Sequence, residues 1–226
     1  MTYDLYIGDR AFSSWSLRGW LMFEKFDIPV RTHLVGLYSG TMSEDLRDLA
    51  PARLVPVMRT PDGIVVGDTL AMAETLAERH PQAGLWPEGA GPRAQARWMA
   101  AEMHSGFGAL RNDCPMQLFR RWRDFQPSPG VVADLARLED LWARALNESG
   151  GPWLFGEYTL ADVFFAPVAA RIAGYGLPVG ALAREYVAAH LADPAFRAWR
   201  AAGITVKYDP DPYDLPLKSD PWPGPA

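Results

Sequence analysis

The chain has 226 residues, 49% hydrophobic and 22% charged, with a formal net charge of −5. That balance predicts a packed globular protein of one large or two small domains, and it lacks the basic footprint of a nucleic-acid binder. The single cysteine, Cys114, excludes an intrachain disulfide framework and cysteine-based zinc or iron–sulfur centres. No stretch approaches about 18 uninterrupted apolar residues, and the opening Met1 to Tyr6 has neither a basic nor an apolar leader. A reducing, cytoplasmic setting is the expectation.

In chain order, residues 3–8 read as a short strand. Residues 14–26 place Trp15, Leu17, Trp20, Leu21 and Phe23 at helical spacing. Pro29 to Val35 suits a second strand, and residues 43–49 a short helix capped by Ser43 with Asp45 in its first turn. Val55 to Arg59 and Ile64 to Val66 form a hairpin around Pro61-Asp62-Gly63. Thr69 to Arg79 is helical. His80 to Pro87 breaks that helix and reads as a connection. Beyond it no strand is expected. Helices are predicted from Arg93 to about Asp113, Val131 to Asn147, Leu160 to about Ala173, Leu182 to Leu191, and Pro194 to Ala202. The tail carries six prolines between Pro210 and Pro225. Such a segment forms neither a helix nor a central strand, and an extended or partly loose surface arm is expected. Pattern alone therefore predicts an α/β unit with a mixed sheet, followed by an all-α unit.

Three segments of the first unit carry candidate chemistry. Ser13 and Ser14 lie where a strand gives way to a helix. Helix N-termini expose unpaired N–H groups and partial positive charge, which stabilise an anion such as a thiolate. A serine there serves equally as an N-cap. Val55-Pro56 opens a strand, which sheets tolerate at their edges. Asp68-Thr69 begins a helix, where Asp68 is either a cap or a ligand for an ammonium group.

In this order, Ser13-Ser14-Trp15-Ser16-Leu17-Arg18, Val55-Pro56 and Gly67-Asp68-Thr69 resemble the glutathione site of the glutathione S-transferase family, in a serine-type, zeta-like form. The resemblance spans about residues 3–202. It implies a thioredoxin-like βαβαββα domain at 1–80, a linker at 81–90, an all-helical domain at 91–203 and a tail at 204–226 outside the family pattern. Glutathione is then the co-substrate, and a hydrophobic electrophile the partner molecule. A homodimer is implied, with no nucleic-acid or membrane partner. Aligning Arg18 with the motif arginine places Ser13 at the thiol-activating serine, with Ser14 as the alternative. Trp15 stands where the zeta class has cysteine. Pro56 is implied to be cis, presenting the Val55 backbone to the cysteinyl part of glutathione. Asp68 and Thr69 would hold the γ-glutamyl end. Arg53 either meets the glycine carboxylate or is a solvated loop arginine.

In the second unit, Thr159-Leu160-Ala161-Asp162 resembles the family's capping box, a folding signal. Trp15, Met103, His104, Phe107 and Tyr175 are candidate walls of an electrophile pocket, although such residues at helical spacing also suit a core. His104 fits either a satisfied core histidine or a substrate-polarising group. His33, His80 and His190 show no metal-ligand spacing, so no metal site is expected. Cys114 lies far from the first helix and reads as a buried apolar residue rather than a redox centre. The implied activity is conjugation of the glutathione thiolate to a hydrophobic electrophile. Two alternatives stand beside it: a maleylacetoacetate-type isomerase and a noncatalytic binder. Against the isomerase, Gly174 occupies the register of that class's substrate-binding arginine, with Arg171 one turn earlier as a stand-in.

Overall fold

A computed structural model describes residues 2–208 and 210–225. The first unit runs β1 (Tyr3–Ile7), α1 (Ser14–Glu24), β2 (Val30–Leu34), α2 (Met42–Asp45), a 3₁₀ turn (Arg47–Leu49), β3 (Val57–Arg59), β4 (Val65–Gly67) and α3 (Thr69–Arg79). The sheet order is β2-β1-β3-β4. β1 and β2 are parallel, with Tyr3 opposite Val30, while β3 lies antiparallel to both β1 and β4. This is the expected thioredoxin-like order. Tyr3, Leu5 and Ile7 alternate along β1 and are buried with Leu17, Leu21, Met72 and Leu76, the period-2 and period-3.6 faces meeting in one core.

The short second helix departs from expectation. Thr41, not Ser43, precedes it, and it ends at Asp45. The Asp45 carboxylate accepts from the Gly36 N–H at 2.8 Å and the Thr41 hydroxyl at 3.0 Å. These bonds tie the turn to the preceding loop, and the chain tightens into the 3₁₀ turn.

The second unit comprises α4 (Ala90–Ser105), α5 (Gly108–Asp113), β5 (Arg120–Trp122), α6 (Pro129–Ser149), α7 (Leu160–Tyr175), α8 (Ala181–Ala192) and α9 (Pro194–Gly203), with β6 (Ser219–Pro221) in the tail. The single helix predicted over 93–113 is broken between α4 and α5. Gly106 caps α4, and Phe107 adopts a left-handed φ of 58° ahead of α5. Nor do strands vanish in this half: β5 pairs antiparallel with β6, Arg121 opposite Asp220. The tail is therefore anchored, and its Trp222 is buried.

α7 is the central strut. Fifteen of its sixteen residues are buried, as expected of a helix apolar on all sides. It packs against α1, α4 and α8. The predicted capping box is formed: Asp162 Oδ2 accepts from the Thr159 N–H at 2.8 Å and the Thr159 hydroxyl at 3.1 Å. Asp162 Oδ1 accepts from the Leu154 N–H at 3.1 Å and the Tyr186 hydroxyl at 2.9 Å. Among the described residues no helix is long and apolar enough to cross a membrane.

Candidate active site

The N-termini of α1 and α3 meet at a cavity of about 760 Å³. Trp15, Arg53, Val55, Pro56, Asp68 and Thr69, drawn from three separate segments, all line it. His104 joins them from α4. Two helix N-termini aimed at one space make it electropositive and suited to an anion.

α1 sits close over this cavity because residue 19 is glycine: a Cβ there would lie 2.9 Å from the Pro56 ring. The Val55–Pro56 peptide bond is cis. Among the described residues, no hydrogen bond occupies the Val55 N–H or C=O.

Asp68 has φ 111° and ψ 127°, a conformation that costs a non-glycine residue about 1–3 kcal/mol and clusters at functional sites. Its Oδ1 accepts from the Leu70 N–H at 2.8 Å and the Ala71 N–H at 3.2 Å. The His104 ring bridges the pair: Nε2 is 3.2 Å from Asp68 Oδ2, and Nδ1 is 3.4 Å from Thr69 Oγ1. Burial holds His104 below its ordinary range against the opposing pull of Asp68, with Arg18 and Arg111 adding to the lowering. The contact with Asp68 is through Nε2 and becomes an ion pair where the ring is protonated.

The two serines differ. Ser13 is the N-cap of α1: its Oγ accepts from the Ser16 N–H at 3.3 Å and donates to Ser16 Oγ at 2.8 Å. Ser16 Oγ in turn accepts from the Gly8 N–H at 2.9 Å. Ser14 Oγ accepts instead from Arg171 Nη2 at 3.1 Å. Both serines are nearly buried and neither lines the cavity, to which α1 contributes Trp15.

Of the candidate pocket walls, Trp15 and His104 line the cavity, their rings edge-on at 5.2 Å. Met103 and Phe107 are buried in the main core. Tyr175 is buried too, its hydroxyl donating to the Pro115 carbonyl at 2.8 Å and its ring against Phe125. Arg53 is exposed at the rim. Cys114 is buried, and burial pushes its thiol up to about 12. Gly174 has no room for a long side chain: a Cβ there would lie 3.2 Å from Gln117 Nε2 and 3.6 Å from the Trp222 ring.

Sequence reasoning does not single out Arg111 or the tail aromatics. Arg111 stacks over Trp15 at 4.9 Å and Arg18 at 4.6 Å. Tyr213 of the tail packs on Phe12 at 4.6 Å, and its hydroxyl lies 2.7 Å from that of Tyr38. Tyr208 donates to Asp9. Both groups lie far in sequence from the residues they meet, and no spacing rule couples Arg111 to Trp15 or Tyr213 to Phe12.

Residues 12–79 match the family model described as glutathione S-transferase, N-terminal domain. A probable maleylacetoacetate isomerase from Caenorhabditis elegans is 31% identical over 169 residues, covering 73% of this chain and 76% of that protein. The chain belongs to the glutathione S-transferase family. The maleylacetoacetate isomerase of Pseudomonas aeruginosa is 30% identical over 158 residues, covering 66% of this chain and 72% of that one. Among solved structures, a Burkholderia glutathione transferase homologue with bound glutathione superposes with a TM-score of 0.70 at 20% identity, over 91% of this chain and all of that one. Omega 1C glutathione transferase from Trametes versicolor gives 0.69 at 16%, over 89% and 93%. These structures share the fold of this glutathione S-transferase family member: a thioredoxin-like sheet unit followed by helices.

Proposed function

We propose that the chain is a glutathione transferase that binds glutathione in this cavity and adds its thiolate to a hydrophobic electrophile. The observation that carries the reading is the convergence of Trp15, Arg53, Val55, Pro56, Asp68 and Thr69 on one cavity beneath two helix N-termini. The unoccupied Val55 backbone groups pair with the cysteinyl part of the tripeptide, an edge-strand mode of recognition. Asp68 holds the γ-glutamyl ammonium, and Arg53 at the rim meets the glycine carboxylate. The thiol proton leaves to solvent, the sulfur forms the new bond to carbon, and the leaving group departs with its electron pair. The rate gain comes from the thiolate fraction and from proximity.

Hydrogen bonding favours Ser14 over Ser13 as the thiol's partner. The Ser13 proton is engaged by Ser16, whereas Ser14 accepts from a cation and keeps its own proton for the sulfur. A second reading, glutathione-dependent isomerisation of a maleylacetoacetate-type substrate, is favoured by the named relatives and opposed by the closed space at Gly174. A cytoplasmic homodimer is part of the proposal.

The test is calorimetric titration with glutathione, with ultraviolet thiolate absorbance recorded on the native chain, Ser13→Ala and Ser14→Ala. A thiolate signal that Ser14→Ala abolishes supports the assignment, and loss in Ser13→Ala alone reverses it. Thioether formation with an aryl halide marks a transferase. Turnover of a maleyl-type substrate without glutathione consumption marks the isomerase. Absence of glutathione binding by the native chain removes both readings.

A further inference from the structure

We propose that Arg171 is a positioning residue for thiol activation: its guanidinium holds the Ser14 hydroxyl by a lone pair, so that the Ser14 proton is turned to the glutathione sulfur. The inference rests on the glutathione reading above, and on Ser14 being nearly buried and next in sequence to Trp15, which lines the cavity.

Arg171 projects from α7, is buried, and is fixed at both ends of its fork. Nη1 donates to the Cys114 carbonyl at 2.6 Å and Nη2 to Ser14 Oγ at 3.1 Å. The first bond sets the plane of the guanidinium, and the second then sets the rotation of the hydroxyl. A hydroxyl has one proton and two acceptor sites. With one site filled by a cation, its O–H is polarised and becomes a stronger donor. Among the described residues the Ser14 proton has no acceptor, in contrast to that of Ser13.

The charge surroundings act in the same sense. Arg18 and Arg111 flank Trp15, the residue after Ser14. Among the described residues, Arg111 donates to the carbonyls of Met103, His104 and Gly106, and Arg18 to that of Phe164. Arg18 Nη1 is buried without a partner among the described residues. No carboxylate among the described residues forms an ion pair with any of the three arginines. Asp134, which accepts from the Leu110 N–H, is the acidic group nearest in influence on Arg111. The other titratable groups acting on Arg171 are Arg111, Tyr175, Cys114 and Tyr213 of the tail. Burial raises Tyr175 and Cys114, so these two are neutral at physiological pH and do not offset the positive charge. In the step itself the thiol proton goes to solvent, the thiolate takes the Ser14 hydrogen bond, and Arg171 stays protonated.

The experiment measures the pKa of bound glutathione from thiolate absorbance against pH, in the native chain, Arg171→Met, Arg171→Lys, Ser14→Ala and Ser14→Ala/Arg171→Met. Arg171→Met is expected to raise the bound thiol's pKa by about one pH unit, equivalent to one charge-assisted hydrogen bond. In the Ser14→Ala background the same change adds less than half of that. Arg171→Lys keeps the charge but not the fork, and it is expected to give a partial rise. It also decides the matter where Arg171→Met does not fold: a thiol pKa unchanged from native overturns the proposal. So does a rise from Arg171→Met that is equal in both backgrounds, because the effect then does not pass through Ser14. Native chain that binds glutathione as the thiolate while the Arg171 variants match it refutes only this inference. Native chain that does not bind glutathione refutes the underlying reading as well.

Discussion

Replacing Asp162 by alanine strips the start of α7 of its acceptor. Four buried donors lose their partner: the Leu154 and Thr159 N–H groups and the Thr159 and Tyr186 hydroxyls. Each orphaned donor costs about 1.5 kcal/mol, roughly 6 kcal/mol together. Against this, the native chain already bears the cost of a buried carboxylate. Burial raises Asp162 from its ordinary 3.8 to about 6, which is worth roughly 3 kcal/mol that the alanine variant recovers at neutral pH. The net expectation is a loss of about 3 kcal/mol at pH 7, read as a fall of roughly 1 M in the urea midpoint. The pH dependence fixes the sign. Because the folded-state pKa is raised, the protonated group contributes stability below its unfolded pKa, and that contribution is lost as pH climbs through about 6. Alanine has no such term, so the gap between native and variant widens by about 2 kcal/mol or more on going from pH 7 to pH 4. Urea unfolding at matched protein concentration, at both pH values, reads this directly. A gap under about 1 kcal/mol at pH 7, or one that narrows toward pH 4, refutes the reasoning.

His190 gives the opposite slope. It is caged by Trp153, Tyr158 and Tyr186, and burial lowers it to about 3. Its stability contribution is therefore present above its ordinary 6.5 and is lost as pH falls toward about 3. His190→Phe should gain roughly 3 kcal/mol relative to native between pH 7 and pH 4, and a difference independent of pH would show that His190 is not held neutral. Asp68→Ala should weaken glutathione binding by about 10- to 100-fold in calorimetry while leaving the bound thiol's pKa near native; unchanged affinity would remove Asp68 from the ligand. Trp222→Ala should free the tail, because Trp222 is buried beneath Arg200 and immediately follows the strand that pairs with β5. Trypsin cleavage after Lys218 should then quicken by at least an order of magnitude, and cleavage at the native rate would mean that the ribbon alone anchors the tail.

The sheet unit is legible in the sequence because its signals are local. Alternation in β1, the Pro61-Asp62-Gly63 turn and the Thr159–Asp162 box each act over a few residues. The break between α4 and α5 is hidden for the same reason. Met103, Phe107 and Leu110 recur at helical spacing straight through it, and the interruption rests on the backbone of Gly106 and Phe107. The β5–β6 ribbon joins three-residue strands almost a hundred residues apart, one of them ending at a proline, so neither shows an alternating run. At the site, the backbone-defined residues are foreseeable, since the helix starts and the strand-opening proline announce themselves. The side-chain partners are not. His104 reaches Asp68 across 36 positions and Arg171 reaches Ser14 across 157, and no spacing rule couples them.

Those unforeseen partners share a property. His104 comes from α4, Arg171 from α7 and the Phe164 carbonyl from α7, and they meet Asp68, Ser14 and Arg18 of the sheet unit. Three residues of the sheet unit, of which Asp68 lines the cavity, are thus held from the helical side. The helix N-termini supply a positive field that any thioredoxin-like unit has. What the helices add is a second hold: the His104 ring on Asp68 Oδ2, whose Oδ1 already caps α3, and the Arg171 guanidinium on the Ser14 hydroxyl. A hydrogen bond to a charged group weakens steeply once its angle is lost. Fixing the Ser14 angle from the helical side is therefore a physical reason for the helical unit to be packed against the sheet through α1 and α7, where a tether alone would leave that hydroxyl free to turn.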